Sequence, residues 1–106
     1  MITIHIYYTG ANGSARKFIQ EMIASGIVND IRKEKGNLRY DYYFPIDDEE
    51  TVLLIDSWAD QDALDKHHEL PLMKKIAALR EKYDLHMKVE KFVGIEDRKD
   101  EQYIRK

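Results

Sequence analysis

Residues 51–58 read Thr51-Val52-Leu53-Leu54-Ile55-Asp56-Ser57-Trp58, and this run sets the architecture. Val52 and Leu54 belong to one face and Leu53 and Ile55 to the other, so its first half is apolar on both sides. A strand covered on both sides lies in the middle of a sheet. Asp56 and Trp58 share a face by the period of two. A carboxylate on such a strand is costly without a partner, so Asp56 is expected to orient a histidine, an arginine or a substrate hydroxyl.

The flanking segments supply the rest of the sheet. Leu38, Tyr40, Tyr42 and Phe44 alternate with Arg39, Asp41 and Tyr43, which predicts a strand. Pro45 and the acidic Asp47-Asp48-Glu49-Glu50 then make a hairpin-type connection. Nearer the N-terminus, Ile2, Ile4, Ile6 and Tyr8 alternate with Thr3, His5 and Tyr7, a first strand over 2–8. Gly10-Ala11-Asn12-Gly13 is turn chemistry, and Ser14 is the expected N-cap of a helix. That helix carries Phe18, Met22, Ile23, Ile27 and Ile31, with Ser25-Gly26 as the place for a kink or interruption. After Trp58, Asp60 is the expected cap of a second helix, with Ala63, Leu64 and His67 on its inward stripe. Pro71 must break or restart it, and Leu72, Met73, Ile76, Leu79 and Tyr83 continue the stripe. Leu85, Met87 and Val89, alternating with His86, Lys88 and Glu90 and leading into Lys91-Phe92-Val93, form the last strand.

The order β-α-β-β-α-β is the ferredoxin-like split βαβ, an α+β fold whose helices cover one sheet face. It accounts for one domain over 1–95, followed by a charged tail over 96–106. Tyr103 and Ile104 predict that this tail docks, the expected place being a partner subunit. The second sheet face is apolar too, at Tyr7, Tyr43, Leu53 and Ile55. So large an apolar face on so small a chain predicts association, and a two-fold homodimer with its sheets face to face is the economical form.

Composition narrows the function. The 106 residues hold 17 Lys and Arg against 20 Asp and Glu, a net charge of -3, so no basic excess exists to neutralise nucleic-acid phosphates. There is no cysteine, which removes disulfides, thiolate metal sites and a cysteine nucleophile. No apolar run approaches the ~18 residues of a membrane span, and the chain opens directly on a strand. The expected setting is cytoplasmic, away from membranes. Neither a phosphate-cradling glycine loop nor a clustered metal-ligand spacing is present, so no cofactor and no metal are expected.

Gly36-Asn37-Leu38-Arg39-Tyr40, Ile55-Asp56-Ser57-Trp58, and Ala63-Leu64 with His67 and Pro71 behind them occur in a familiar order. The set resembles the antibiotic biosynthesis monooxygenase family over about residues 2–93. That resemblance implies a dimeric α+β barrel and a cofactor-free oxidation of a small quinol or phenolic by O2. In such chemistry the dihydroxyaromatic loses a proton and its electron-rich anion reacts with oxygen. Three positions depart from the family pattern. Asp56 stands where a glutamate is usual, Leu72 replaces a second histidine after the proline, and His68 follows His67 directly. Adjacent helical positions point about 100° apart, so His68 is not expected to stand in for that second histidine.

His67 is the candidate base, because an imidazole accepts a proton near neutral pH. Asp56 is its candidate partner in a dyad. Trp58, Tyr40 and Tyr42 are the candidate substrate-binding aromatics, with the Tyr40 hydroxyl placed to polarise a ligand carbonyl. His5 and His86 read as structural, and Lys74, Lys75 and Arg80 as a solvated helix face. Haem-oxidising relatives carry Asn, Trp and His where this chain has Ile6, His67 and Ala77, so haem is not expected. Two rival functions keep the same fold: an isomerase of a small phosphosugar-like metabolite, and a non-catalytic ligand-binding dimer.

Overall fold

The computed structural model describes residues 1–95 and 99–105. The two-residue periods become strands β1 (Ile2–Thr9), β2 (Asn37–Tyr43), β3 (Thr51–Trp58) and β4 (His86–Val93). The helical stripes become α1 (Ser14–Ala24), α2 (Ile27–Arg32), α3 (Gln61–His68) and α4 (Leu72–Lys82). The strands pair antiparallel in the order β2-β3-β1-β4, the ferredoxin-like α+β arrangement, with β3 inside the sheet as its two apolar faces require.

Both helical regions break where the sequence breaks them. Gly26 takes φ 84°, a left-handed conformation that ends α1 and starts α2. Pro71, at φ -57°, sits at the N-cap of α4, where its missing N–H costs nothing. Asp60 caps α3 by accepting from the Ala63 N–H at 2.8 Å.

Two local expectations are corrected. Ser14 is inside α1, and the N-cap is Gly13, whose N–H donates to the Glu50 carboxylate at 3.1 Å. A negative charge from the β2–β3 connection thus serves the positive end of α1 in place of a capping hydroxyl. Leu38 does not share the buried face of Tyr40. Asn37 pairs with Trp58 and Arg39 with Ser57, so Leu38 is the extra residue of a bulge and is exposed.

Register decides which side chains meet beneath the helices. Ile4, Ile6 and Tyr8 of β1 stand opposite Asp56, Leu54 and Val52 of β3 on one side. On the other side they stand opposite Lys91, Val89 and Met87 of β4. Phe18, Met22, Ile31, Val52, Leu54 and Trp58 fill the interior, each fully buried. The other sheet face is uncovered in this chain: Tyr7, Leu53 and Ile55 are half-buried, while Tyr43 and Phe92 are exposed. His5 and His86 lie on that face, His5 with its ring 4.9 Å from Phe92.

Lys99–Tyr103 forms a short 3-10 helix, and Tyr103 and Ile104 are 78% and 60% exposed. Residues 96–98 and 106 of the expected tail lie outside the described residues. Among the described residues no helix is long and apolar enough to cross a membrane.

Candidate active site

Between the sheet and helices α3 and α4 lies a cavity of about 210 Å³. Its floor comes from the period-two positions just described: Ile4, Ile6 and Tyr8, then Leu54 and Asp56, with Tyr40, Met87 and Val89 on the flanking strands. Its roof is His67 and His68 at the end of α3, and Met73, Ile76 and Arg80 along α4. The lining is mostly aliphatic, and the volume falls below the about 300–1,000 Å³ of sites for drug-sized ligands. A single small ring system suits it.

His67 is 4% exposed, and its Nδ1 meets both carboxylate oxygens of Glu34 at 2.9 Å. With Glu34 ionised, Nδ1 carries the hydrogen, and Nε2 is left as the lone-pair nitrogen. Burial pulls the imidazole below its ordinary affinity for a proton, and the Glu34 carboxylate partly restores it. The Trp58 ring lies against the imidazole, 4.6 Å between centroids and tilted by 31°. Glu34 therefore occupies the place that the sequence offered to Asp56. It reaches α3 from the turn after α2, where its N–H donates to the Ile31 carbonyl at 3.0 Å.

Asp56 is 5% exposed, and its Oδ1 is buried with no hydrogen-bond partner among the described residues. Burial raises its carboxyl to about 7. The Trp58 indole N–H draws it back down, although it closes no hydrogen bond of good geometry, and the Glu34 charge pushes it up again. Near neutrality Asp56 is thus divided between acid and carboxylate, with an oxygen that lacks a protein donor or acceptor. Such a group calls for a hydrogen-bond partner, which water or a ligand hydroxyl can supply.

Tyr40 is buried on the cavity floor, its hydroxyl held protonated because burial raises it well above the ordinary phenol range. Tyr8, also on the floor, is pushed up to about 12 by the same cause, against the pull of Arg80. Tyr42 does not line the cavity; it meets Tyr40 edge to face, 5.7 Å between centroids, and its buried hydroxyl, although near that of Tyr40, closes no hydrogen bond of good geometry among the described residues. Trp58 is fully buried behind His67, and it too is absent from the lining. Of the five sequence-derived candidates, His67, Asp56 and Tyr40 therefore converge on one cavity, with Trp58 and Tyr42 packed behind two of them.

Three lining or supporting residues escaped the sequence. Glu34 lies 33 residues from its histidine, inside the charged run Arg32-Lys33-Glu34-Lys35. His68 joins His67 on the cavity, 5.6 Å between ring centroids, despite following it directly in a helix. Arg80 corrects the solvated-face expectation for α4: Lys74 and Lys75 are exposed, but Arg80 is half-buried on the lining. Its spacing from Met73 and Ile76, i+7 and i+4, was the available signal. Among the described residues, no group of three or more His, Asp or Glu is gathered as metal ligands would be.

Comparison with known proteins gives a consistent picture. The family described as "Antibiotic biosynthesis monooxygenase" matches residues 1–79. The Bacillus subtilis (strain 168) protein named "Putative monooxygenase YcnE" is 29% identical over 69 residues, 65% of this chain and 70% of that protein. A structure from Deinococcus radiodurans, described as a "putative antibiotic biosynthesis monooxygenase", superposes with a TM-score of 0.80 at 18% identity, over 92% of this chain and 95% of that one. SnoaB of Streptomyces nogalater, a cofactor-independent oxygenase in its N63A form, superposes with a TM-score of 0.75 at 16% identity, over 91% and 94%. At these identities the structural likeness is one of fold.

Proposed function

This chain belongs to the antibiotic biosynthesis monooxygenase family, and on that premise we propose that it oxidises a small quinol or phenolic with O2 without a bound cofactor. The observation that carries this reading is the buried His67, fixed through Nδ1 by Glu34, beside an Asp56 whose carboxyl is raised to about 7. In this mechanism Nε2 of His67 takes the proton of a ligand hydroxyl, and the Glu34 carboxylate steadies the imidazolium that results. Asp56 in its acid form, and the Tyr40 hydroxyl, donate hydrogen bonds to the oxygen across the ring. The ligand anion then reduces O2 and combines with it. The net reaction is quinol plus O2 to hydroxyquinone plus water, one oxygen atom entering the ring and the other leaving as water. Aliphatic walls from Ile6, Leu54, Ile76 and Val89 keep bulk water from the anion.

The isomerase reading finds support in Arg80, a cation that an anionic sugar ester would use. The lining argues against it, since sugar hydroxyls would meet Ile, Leu, Met and Val where they need hydrogen-bond partners. The oxygenase reading further has the protein act in the cytoplasm as a homodimer, joined through Tyr7, Tyr43, Leu53 and Ile55. The 1–95 domain carries the site, and Tyr103 and Ile104 of the tail lie on the partner subunit.

Oxygen consumption tests the reading. The purified chain, in buffer without added flavin or metal, is given a panel of naphthoquinols, benzoquinols and anthrones. Uptake above the spontaneous rate is expected for at least one of them. His67→Ala should lower kcat by about a hundred- to ten-thousand-fold, the usual worth of a positioned base. Full activity in that variant would remove His67 from the chemistry.

A further inference from the structure

The cavity is polar at two ends and aliphatic between them. One end is the acid–base pair: Asp56 stands opposite Ile4 in the strand register, and His67 lies against Trp58. The other end is Arg80, whose Nη1 donates to the Met87 sulfur at 3.0 Å, and Met87 stands opposite Tyr8. From Ile4 to Tyr8 along β1 is about 13 Å at the usual strand rise. Arg80 thus sits at the remote end from Asp56, with Ile6, Leu54 and Val89 in the stretch between.

A guanidinium offers five N–H donors in a planar fork and cannot give up its charge. Here a thioether takes one of those donors, and among the described residues no carboxylate pairs with Arg80. A half-buried cation with a thioether as its side-chain hydrogen-bond partner, at the end of the cavity away from Asp56, is poorly served by its own protein. An acceptor with two oxygens on one centre, a carboxylate or a phosphate, matches the fork with two parallel hydrogen bonds. The cavity lining offers one arginine and no lysine, which suits a singly charged carboxylate better than a doubly charged phosphate ester.

We propose that Arg80 binds a carboxylate on the substrate at the end remote from the reacting hydroxyl, so that the site selects a hydroxyaromatic acid. The identity of the reacting end rests on the oxygenase reading of the same cavity; the pairing at Arg80 does not.

The test compares dihydroxyphenylpropanoate with its methyl ester by anaerobic calorimetry, with oxygen uptake measured separately. The wild type should bind the acid at least about tenfold more tightly than the ester, as expected for a charge-assisted pair in a half-buried site. That preference should fall with added salt. It should collapse toward unity in Arg80→Met and return in part in Arg80→Lys, with thermal melts showing each variant folded. An equal affinity of the wild type for acid and ester, no binding of either at millimolar ligand, or a preference retained in Arg80→Met would overturn the proposal. Oxygen uptake with neutral quinols but no preference for the acid defeats the Arg80 pairing and leaves the oxygenase standing. A preference for the acid with no oxygen uptake on any quinol does the reverse.

Discussion

Burial acts on Asp56 and His67 in the same way and brings their proton affinities together. Removing water penalises whichever form is charged, so the carboxyl rises to about 7 while the imidazole falls below its ordinary value. Two groups that start more than two units apart are shifted toward each other, one able to donate while the other accepts. Glu34 raises both of them, the imidazole through its hydrogen bond and the carboxyl through its charge. Glu34→Gln keeps an amide oxygen to accept from Nδ1–H but removes the charge. Both proton affinities then fall, so the acid limb of the kcat/KM profile should move to lower pH. kcat should fall as well, because the imidazolium formed during the reaction is less stabilised. A limb that stays in place or moves upward would show that neither group titrates in that profile. The sequence offered His67 and Asp56 as the candidate pair, but the part played by Glu34 was not legible at the residue level. Glu34 reads as one more solvated charge between Lys33 and Lys35, and only the folded turn after α2 brings it to His67.

Elements place these side chains, and the junction of α3 with the start of β2 is closely packed. Gly36 takes φ 86°, and a Cβ there would lie 2.5 Å from the Cβ of Ala63, one turn before His67. Gly26, at φ 84°, has nothing within 4 Å of the same position. The pair separates backbone strain from close packing. Gly26→Ala should cost about 1 kcal/mol from conformation alone. Gly36→Ala should cost about 2–4 kcal/mol, strain plus overpacking, and should lower activity by moving α3. Urea denaturation of both variants checks this; equal costs would mean that α3 yields freely. Strands and helices were legible because each buries one face and so repeats in sequence with period two or 3.6. Two errors fell where periodicity carries no information: the Leu38 bulge turns one residue out of register, and Glu50 caps α1 from a distant connection. Arg80 is the opposite case, since its stem follows the inward stripe and only its charged head reads as solvated.

At the scale of the whole molecule, an apolar sheet face is left uncovered, with Tyr7, Leu53 and Ile55 at its centre. A second copy applied by a two-fold axis would cover each face with the other. Sedimentation should give twice the chain mass of 12.6 kDa, and Ile55→Lys should shift it to the monomer by burying an unpaired charge. A monomeric wild type would contradict the homodimer. In the proposed homodimer, helices on one side and association on the other would leave the His67 cavity intact in each subunit, so that chemistry and assembly would use opposite faces of one sheet. The chemistry of that cavity is tested most directly by following isotopically heavy O2 into product, using a quinol that the wild type turns over and His67→Ala as comparison. One heavy oxygen atom is expected in the hydroxyquinone and one in water, with both lost in the variant. Product formed without label, or label unaffected by His67→Ala, would contradict this chemistry.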